Sequence, residues 1–226
     1  AAALNRTAIV QTVFLGHSTN LYSMIPNGMA WQTAAYKVLG DANYSFTKSA
    51  LNDAAIYGGP YNENKKLVVD FWYENSGHYP QTPDIALVIK DSLEASGVMT
   101  VNLNGLEWAA YHAKRKTETM PVYIYGWYPD YVDPDNYIYP FLHSQGSWLF
   151  NNYNNSEMDS VIMQSRSTAD ATARENAYKQ VQEIMVEDAP IIPMFQRKEY
   201  AVTKPNIKGV YLDISMFWRL WLLYAE

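Results

Sequence analysis

Three carboxylates lie among aromatic rings between residues 126 and 135. The sequence of this segment is Gly126-Trp127-Tyr128-Pro129-Asp130-Tyr131-Val132-Asp133-Pro134-Asp135. A fixed carboxylate beside an aromatic face suits a small amphipathic ligand that carries a positive amine or several hydroxyl groups. The alternative interpretation is a surface turn rich in proline and aspartate, next to ordinary core tyrosines. As a binding site, the segment offers these candidate ligand contacts: Trp127, Tyr128, Asp130, Tyr131 and Asp133.

The sequence before this segment predicts a mostly parallel sheet with flanking helices. Residues 67–73, 98–103 and 122–126 are rich in β-branched and aromatic side chains, as buried strands are. A helix that opens at Thr82-Pro83-Asp84 and closes at Gly97 separates the first two strands, and a helix over 106–116 separates the next two. The resulting β-α-β-α-β core is an α/β fold. Ligands bind such open sheets at the carboxyl ends of the strands, where the candidate site lies.

The second half of the chain predicts covering elements and an arm. A helix over about 168–188 has apolar residues at steps of three or four, and Pro190 ends it. Residues 191–196 and 199–203 predict two short strands. The run over 216–224 is too apolar for a free tail, so we expect it to be captured by another surface or to pack on this same domain.

Composition excludes several classes of function. The 226 residues carry a net charge of -6 and no cysteine. This charge argues against nucleic acid, which requires clustered Lys and Arg, and the lack of thiols excludes disulfides and zinc-thiolate sites. The triplet at 114–116 is explained as the charged last turn of a helix. No apolar stretch reaches the roughly 18 residues of a membrane span, and the amino terminus does not read as a signal peptide, so we expect a mature or truncated chain.

Catalysis and metal binding are weak interpretations of the same residues. Asp130, Asp133 and Asp135 lie on one turn, whereas the paired carboxylates of a glycosidase face each other across the substrate. Pro134 interrupts any calcium loop, and no glycine holds its sixth place. The four histidines stand far apart and predict surface or loop positions: His17, His78, His112 and His143. We therefore expect no enzyme, no cofactor and no metal site.

Several blocks of sequence carry a resemblance to a known family. They are Ala3 to Val10 with Gly16, Trp127 to Asp135, Asp159, Arg174 to Tyr178, and Glu187 to Pro193. In this order they resemble the extracellular solute-binding proteins, family 5, of ABC transporters, the group that binds oligopeptides, dipeptides and nickel. The resemblance runs from about residue 3 to residue 214. One departure is Asn5, which stands where the family has an aspartate.

The resemblance implies a two-lobed protein of which this chain is one part. Residues 1–214 match the second, carboxyl-terminal lobe, with a fold like that of type II periplasmic-binding proteins. Residues 215–226 would form an arm that returns to the missing first lobe. The full-length protein would be extracellular or periplasmic, would attach to a membrane only through an anchor that this sequence does not contain, and would deliver its solute to an ABC permease.

The resemblance also implies a role for Asp130. In peptide-binding members, the aspartate three residues after the tryptophan accepts the α-ammonium group of the ligand, and Trp127 would form a wall beside it. An acid at this place counts against the nickel-binding branch. Oligosaccharides remain an alternative, because 19 Tyr and 7 Trp would also stack on sugar rings. An alternative of another class is a non-transport interaction or adhesion module that uses the aromatic arm.

Overall fold

A computed structural model describes residues 1–53, 58–146 and 148–226. Its α-helices are α1 (Arg6–Ala8), α2 (Tyr44–Asp53), α3 (Thr82–Glu94), α4 (Trp108–Arg115), α5 (Asp135–Leu142), α6 (Ser156–Ser167) and α7 (Ala171–Asp188). Its strands are β1 (Ser18–Asn20), β2 (Leu67–Glu74), β3 (Met99–Leu106), β4 (Val122–Tyr123), β5 (Phe195–Arg197), β6 (Ile207–Lys208) and β7 (Tyr224–Ala225). A π-helical segment, Ile9–Val13, continues α1, and short 3-10 segments lie at Ala35–Leu39 and Leu220–Leu222.

The central sheet is parallel, as the sequence predicts. Its strand order is β3-β2-β4, with β2 paired to β3 along all eight residues of both strands. Helix α3 packs on this sheet through a shared apolar core: Phe71, Ile85, Ala86, Ile89, Val101 and Ile124. Because the strands run in the same direction, the loops that follow Glu74, Leu106 and Tyr123 leave the sheet at one edge.

A second core holds helices α5, α6 and α7 together. Its buried members include Ile138, Phe141, Leu142, Met158, Val161, Ile162, Ala177, Tyr178, Val181 and Met185. The Tyr36 hydroxyl donates to the carbonyl oxygens of Met185 and Ile191, each 2.7 Å away. The buried Gln182 accepts a 2.6 Å hydrogen bond from the Ser23 hydroxyl. The amino-terminal segment is thereby fixed to α7.

The amino-terminal block is built around a buried arginine. The Arg6 guanidinium forms a 2.6 Å ion pair with Asp41 and donates to the carbonyl oxygen of Pro193 over 2.8 Å. Asn5 caps α1, because its side-chain oxygen accepts a 2.9 Å hydrogen bond from the Ala8 N–H. Asparagine and aspartate are comparable in this capping role, so the departure from the family pattern keeps the local geometry.

The strand predictions for the second half of the chain are partly wrong. Residues 199–203 form no strand, and Val202 there is 96% exposed, because no strand in the described parts of the chain pairs with them. Within 191–196 only the last residues pair, as β5 with β1 in antiparallel register. Pro193 cannot donate a ladder hydrogen bond, which explains the late start. The predicted strand over 122–126 is reduced to the two residues of β4.

Several helix boundaries and side-chain positions also differ from the predictions. Thr82 lies inside α3, and its hydroxyl donates to the Tyr79 carbonyl instead of capping the helix. Asp159 lies inside α6, which begins at Ser156 because Asn155 accepts two backbone N–H groups as its cap. His143 is buried but lies in the loop after α5, which the prediction of surface or loop positions allows, whereas His112 lies within a helix.

The triplet at 114–116 occupies the end of α4, as predicted, but it is not wholly solvated. The Arg115 guanidinium is fully buried between the rings of Tyr125 and Phe150, at 4.2 and 5.0 Å from their centroids. Helices α2 and α5 were not predicted. Pro140 within α5 masks its helical pattern.

The carboxyl-terminal arm exposes a run of apolar side chains. Strands β6 and β7 pair in antiparallel register and hold the arm as a loop. The exposed residues of the arm and of the segment just before it are Val210, Tyr211, Leu212, Ile214, Met216, Phe217, Trp218, Leu220, Trp221, Leu222, Leu223 and Tyr224. Among these residues, Trp221 is 74% exposed. No helix in the described parts of the chain is both long and apolar enough to cross a membrane.

Candidate ligand-binding site

Residues 126–135, called the acidic turn below, leave the sheet at the edge where its three strands end. The acidic turn follows β4 and leads into α5, with Pro134 at the amino-terminal cap. The Asn136 N–H donates to the Asp133 carbonyl over 3.1 Å, and the Tyr137 N–H donates to the Pro134 carbonyl over 3.0 Å. The start of the helix therefore fixes the backbone of the turn.

Asn136 organises the half of the acidic turn that contains Trp127 and Asp130. Its side-chain oxygen accepts hydrogen bonds from the Trp127 indole over 3.1 Å and from the Asp130 N–H over 2.9 Å. Its amide nitrogen lies 3.5 Å from Asp130 Oδ2. Asn136 is only 3% exposed. One buried amide thus sets the positions of Trp127 and Asp130 relative to each other, a relationship that the sequence prediction missed.

Asp133 is joined to α7 by a two-point ion pair with Arg174. The guanidinium nitrogens of Arg174 donate to the two carboxylate oxygens of Asp133 over 3.0 and 2.9 Å. Burial alone would lower the pKa of Arg174, but the hydrogen bond to Asp133, the interaction with Tyr178 and the charge of Asp133 together outweigh burial and raise this pKa. Asp133 Oδ1 also accepts the Asp135 N–H over 2.8 Å. Both oxygens are therefore engaged within the protein.

Asp135 is likewise committed to protein partners. Arg166 Nε lies 3.2 Å from Asp135 Oδ1, and the Tyr131 hydroxyl donates to Asp135 Oδ2 over 2.8 Å. Burial and this hydrogen bond to Asp135 raise the pKa of Tyr131. The Tyr131 hydroxyl is held against the turn, although 48% of its residue surface is exposed.

Asp130 differs from the other two carboxylates of the turn. Within the part of the chain that the structure describes, Asp133 and Asp135 each form an ion pair with an arginine, whereas Asp130 forms none. Asp130 is also exposed. Its backbone is fixed while its carboxylate faces solvent, so it is available to a cationic ligand.

The aromatic candidates Trp127 and Tyr128 have different contacts. Trp127 packs edge-on against Phe141, with 5.0 Å between ring centroids, and lies 5.9 Å from the ring of Trp148. Tyr128 is 44% exposed and donates to Glu199 over 3.2 Å. Burial and the charge of Glu199 raise the pKa of the Tyr128 phenol. The structure thus joins Trp127 to Asp130 directly and turns the Tyr128 hydroxyl toward the segment after β5.

A second aromatic group occupies the same edge of the sheet, and the sequence prediction did not single it out. His78 and Trp108 stack face to face, with 3.5 Å between centroids and 9° between planes. Tyr79 meets Trp108 at 5.6 Å and Tyr125 at 6.0 Å, in both cases edge-on. The hydroxyl of Tyr79 donates to the Gly126 carbonyl over 3.3 Å, at the start of the acidic turn.

Glu74, the last residue of β2, fixes the loop that carries this aromatic group. Its fully buried carboxylate accepts hydrogen bonds from the Ser76 N–H, from the Ser76 hydroxyl over 2.6 Å and from the Tyr79 N–H over 3.1 Å. Burial alone would raise the pKa of Glu74, but these hydrogen bonds outweigh it and lower this pKa. Among the described residues, no three acidic or histidine side chains come together as a metal site requires.

The sequence of this chain matches a known protein family. The profile described as bacterial extracellular solute-binding proteins, family 5 Middle, matches residues 1–148. Heme-binding protein A of Haemophilus influenzae is 28% identical over 213 residues, which cover 92% of this chain and 37% of that protein. The peptide transport periplasmic protein SapA of the same species is 26% identical over 214 residues, which cover 92% of this chain and 36% of that protein.

A solved structure confirms the fold. The dipeptide binding protein from Pseudoalteromonas sp. SM9913, in complex with Met-Leu, superposes with a TM-score of 0.83 at 21% identity, over 100% of this chain and 44% of that one. The fold is that of a type II periplasmic-binding-protein lobe, and the chain spans less than half the length of these relatives. Since the family profile covers more than half of the 226 residues, the chain belongs to the bacterial extracellular solute-binding proteins of family 5.

Proposed function

We propose that this chain is the ligand-capturing second lobe of an ABC importer solute-binding protein for peptides. The observation that carries the proposal is the exposed carboxylate of Asp130, whose backbone is fixed. Among the described residues it has no arginine partner, whereas Asp133 and Asp135 have one each. A peptide supplies the matching group, an α-ammonium. A charge-assisted hydrogen bond between the two contributes about 1.5 to 3 kcal/mol.

Trp127 supports the same assignment. Its indole is held 3.1 Å from the amide oxygen that also holds the Asp130 backbone, so ring and carboxylate are presented as a unit. The ring forms a wall for the first residue of the ligand, with Tyr128 and Tyr131 exposed nearby. In this proposal Asp133 influences the ligand only indirectly, by holding the acidic turn in place, because Arg174 engages both oxygens of its carboxylate.

The complete importer component has two lobes and works outside the cytoplasmic membrane. Residues 1–214 form the second lobe, and residues 215–226 form the arm that packs on the first lobe, which buries the exposed apolar side chains of the arm. The family assignment supports extracellular or periplasmic capture, release to a membrane permease and a role without catalysis. The names of two relatives support a peptide as the solute, since SapA is a peptide transport periplasmic protein and the superposed structure is that of a dipeptide binding protein, whereas the third is named a heme-binding protein.

Oligosaccharides are the second candidate ligand. The exposed rings of Tyr128 and Tyr131 favour them, since aromatic faces stack on sugars as well as on peptide side chains. Sugars lack an ammonium group, which leaves the charge of Asp130 without a partner. The remaining alternative is an interaction or adhesion module that uses the arm, and it predicts no small-molecule binding at the acidic turn.

Calorimetry on the two-lobed protein separates these candidates. A peptide with a free amino terminus should bind, while its acetylated form and the Asp130→Asn variant should each lose about 2 to 5 kcal/mol. Asp91→Asn, an exposed acid on α3, is the matched control and should bind normally. Equal affinity for the acetylated peptide would contradict the peptide-amine assignment, and preference for an oligosaccharide would replace it.

The lobe by itself provides a second check. In residues 1–226 alone Asp130 faces water, where an ion pair contributes only about 0 to 1 kcal/mol. The separate lobe should therefore bind peptides more weakly than micromolar. Micromolar or tighter binding by residues 1–226 would show that the ligand is not enclosed between two lobes.

A further inference from the structure

Strand β3 forms the outer edge of the parallel sheet. Within the described parts of the chain it pairs only with β2, and the strand order β3-β2-β4 leaves its other side without a strand. The Leu67 N–H donates to the Val98 carbonyl, and the Asn75 N–H donates to the Leu106 carbonyl. Because backbone groups alternate along a strand, the even-numbered residues of β3 bond to β2 and the odd-numbered residues point outward. An outward row of N–H and C=O groups is a place where another strand can pair.

An ion pair on α3, Lys90 with Glu94, occupies the outward groups of Val101 in the middle of this row and is called the edge clamp below. Glu94 Oε1 accepts the Val101 N–H over 2.9 Å, and Lys90 Nζ donates to the Val101 carbonyl over 2.7 Å. Lys90 Nζ also donates to the same Glu94 oxygen over 2.9 Å, which closes a ring of three hydrogen bonds. The Val101 N–H, together with Lys90, lowers the pKa of Glu94, so this carboxylate stays ionised at neutral pH. The edge clamp therefore supplies the acceptor and the donor that a neighbouring strand would supply.

The rest of the edge lacks this cover. In the described residues, no hydrogen bond reaches the outward N–H or C=O group of Leu103. The eight residues of β3 include no charged residue and no proline. Charges and prolines are the means by which exposed edge strands usually resist pairing. Protection of this edge thus depends on the two charges that α3 brings to it.

A second copy of this chain is the partner that fits an open β3. An antiparallel register centred on Asn102 places Val101 of one copy opposite Leu103 of the other, so that both residues exchange their outward N–H and C=O groups. Since β3 is uncharged, this register brings no like charges together. The contact is two-fold symmetric, so it closes at two copies. It requires both backbone groups of Val101, which the edge clamp already occupies.

We propose that the edge clamp keeps β3 closed against strand addition by a second copy, and that β3 becomes a dimer interface when the edge clamp is removed. The inference does not depend on Asp130 or on the identity of the ligand. Helix α3 then has two roles. Its Ile89 shares the apolar core with the side chain of Val101, while the edge clamp binds the backbone of the same residue.

One introduced cysteine reports the pairing, because the chain contains no cysteine of its own. In the register centred on the exposed Asn102, the two copies of residue 102 have Cα atoms about 4.5 Å apart, which suits a disulfide. Asn102→Cys is made in residues 1–226, alone and together with Lys90→Ala and Glu94→Ala. Non-reducing electrophoresis after mild oxidation measures the cross-linked dimer. Removal of the edge clamp should raise the dimer fraction at least about fivefold, the gain expected from one net hydrogen bond.

Two further variants separate the edge clamp from a general loss of charge. Glu175→Ala with Lys179→Ala removes another ion pair of the same spacing, on α7, and should leave the cross-linking of Asn102→Cys unchanged. Glu94→Gln keeps an oxygen that accepts the Val101 N–H, so it should also leave cross-linking unchanged. Cross-linking that does not rise when the edge clamp is removed, or that rises equally in either of these variants, would overturn the proposal.

Amide exchange in the unaltered chain tests the edge clamp without changing any residue. The N–H groups of Val101 and Leu103 both point outward, but among the described residues only that of Val101 has a partner. In 15N NMR spectra the Val101 N–H should therefore exchange about tenfold more slowly than the Leu103 N–H. Equal exchange would overturn the proposal, and this measurement decides it if circular dichroism shows that the variant without the edge clamp does not fold.

Discussion

The Asn136 side chain accepts a 2.9 Å hydrogen bond from the Asp130 backbone N–H, and through it α5 holds the candidate ligand carboxylate in place. Asn136 is buried, and the same oxygen accepts the indole N–H of Trp127. The first residue after the acidic turn is therefore the structural centre of the site.

Asn136→Ala tests this role. The change leaves the Trp127 indole and the Asp130 N–H without their partner, which should lower the free energy of unfolding by about 1 to 3 kcal/mol. It should also weaken peptide binding, because Asp130 is no longer fixed. Urea denaturation and calorimetry measure the two effects. Asn64→Ala, at an exposed asparagine, is the control, and a loss no larger than in this control would remove Asn136 from the centre of the site.

Asp130 and Asp133 should differ in what they contribute. Asp130→Asn should reduce peptide affinity and leave the free energy of unfolding nearly unchanged, because its carboxylate is exposed and has no arginine partner. Asp133→Asn should lower the free energy of unfolding by about 1 to 3 kcal/mol, because it breaks the two-point pair with Arg174. Chemical denaturation together with calorimetry compares them. The opposite pattern would mean that Asp133 is the ligand carboxylate.

Peptide affinity should depend on pH through the ligand. The α-amino group of a free peptide has a pKa near 8, and only its protonated form pairs with Asp130. Binding favours the protonated amino group, so the affinity for the peptide has its full value below this pKa and falls about tenfold per pH unit well above it. Calorimetry between pH 6 and pH 10 measures the change, with the acetylated peptide as a flat control. An affinity for the free-amine peptide that stays constant over this range argues for a neutral ligand group.

Glu74 should make stability depend on pH in the acidic range. Its pKa is lowered in the folded protein, so its stabilising effect is present above the unfolded pKa of about 4.3 and disappears as pH falls through the folded value. Glu74→Gln should therefore lower the free energy of unfolding at pH 7 by about 1 to 3 kcal/mol, with a smaller difference at pH 3. Denaturation at both values tests this. An equal difference at pH 7 and pH 3 would show that ionisation of Glu74 does not cause the pH dependence of stability.

Deletion of residues 215–226 tests the position of the arm. The apolar side chains of the arm are exposed, so the deletion should raise solubility and leave the melting temperature nearly unchanged. Differential scanning calorimetry and light scattering provide the measurements. Asp213→Asn, which breaks only the surface pair with Arg219, is a milder comparison. A loss of many degrees on deletion would place the arm in the core of this domain.

The sequence predicts the sheet well because its signals are local. Strands β2 and β3 are rich in apolar and aromatic side chains, of which Phe71 and Val101 are buried, and the turn residues beside them mark their ends. The prediction for 199–203 is wrong for the opposite reason. Strand-forming side chains do not form a strand unless a partner lies beside them, and pairing depends on the rest of the fold.

The candidate site, like the fold, is only partly predictable from local sequence. The composition of the acidic turn indicates binding, but it does not indicate which carboxylate is available. That distinction depends on Arg174, which is 41 residues from Asp133 in sequence. The Arg174 to Tyr178 block belongs to the family pattern, yet the pattern alone does not reveal its contact. Likewise, the link from His78 to Trp108 requires two loops to meet at one edge of the sheet.

The two ion pairs that arginines form with the acidic turn also determine the charge of the ligand that the turn can balance. Three carboxylates alone would carry a formal charge of −3, but the guanidinium groups of Arg166 and Arg174 supply two positive charges and leave −1. A site of charge −1 balances one ammonium group but neutralises only half the charge of a divalent cation. Helices α6 and α7, which carry these arginines, thereby convert a cluster that would attract doubly charged ions into a monovalent one.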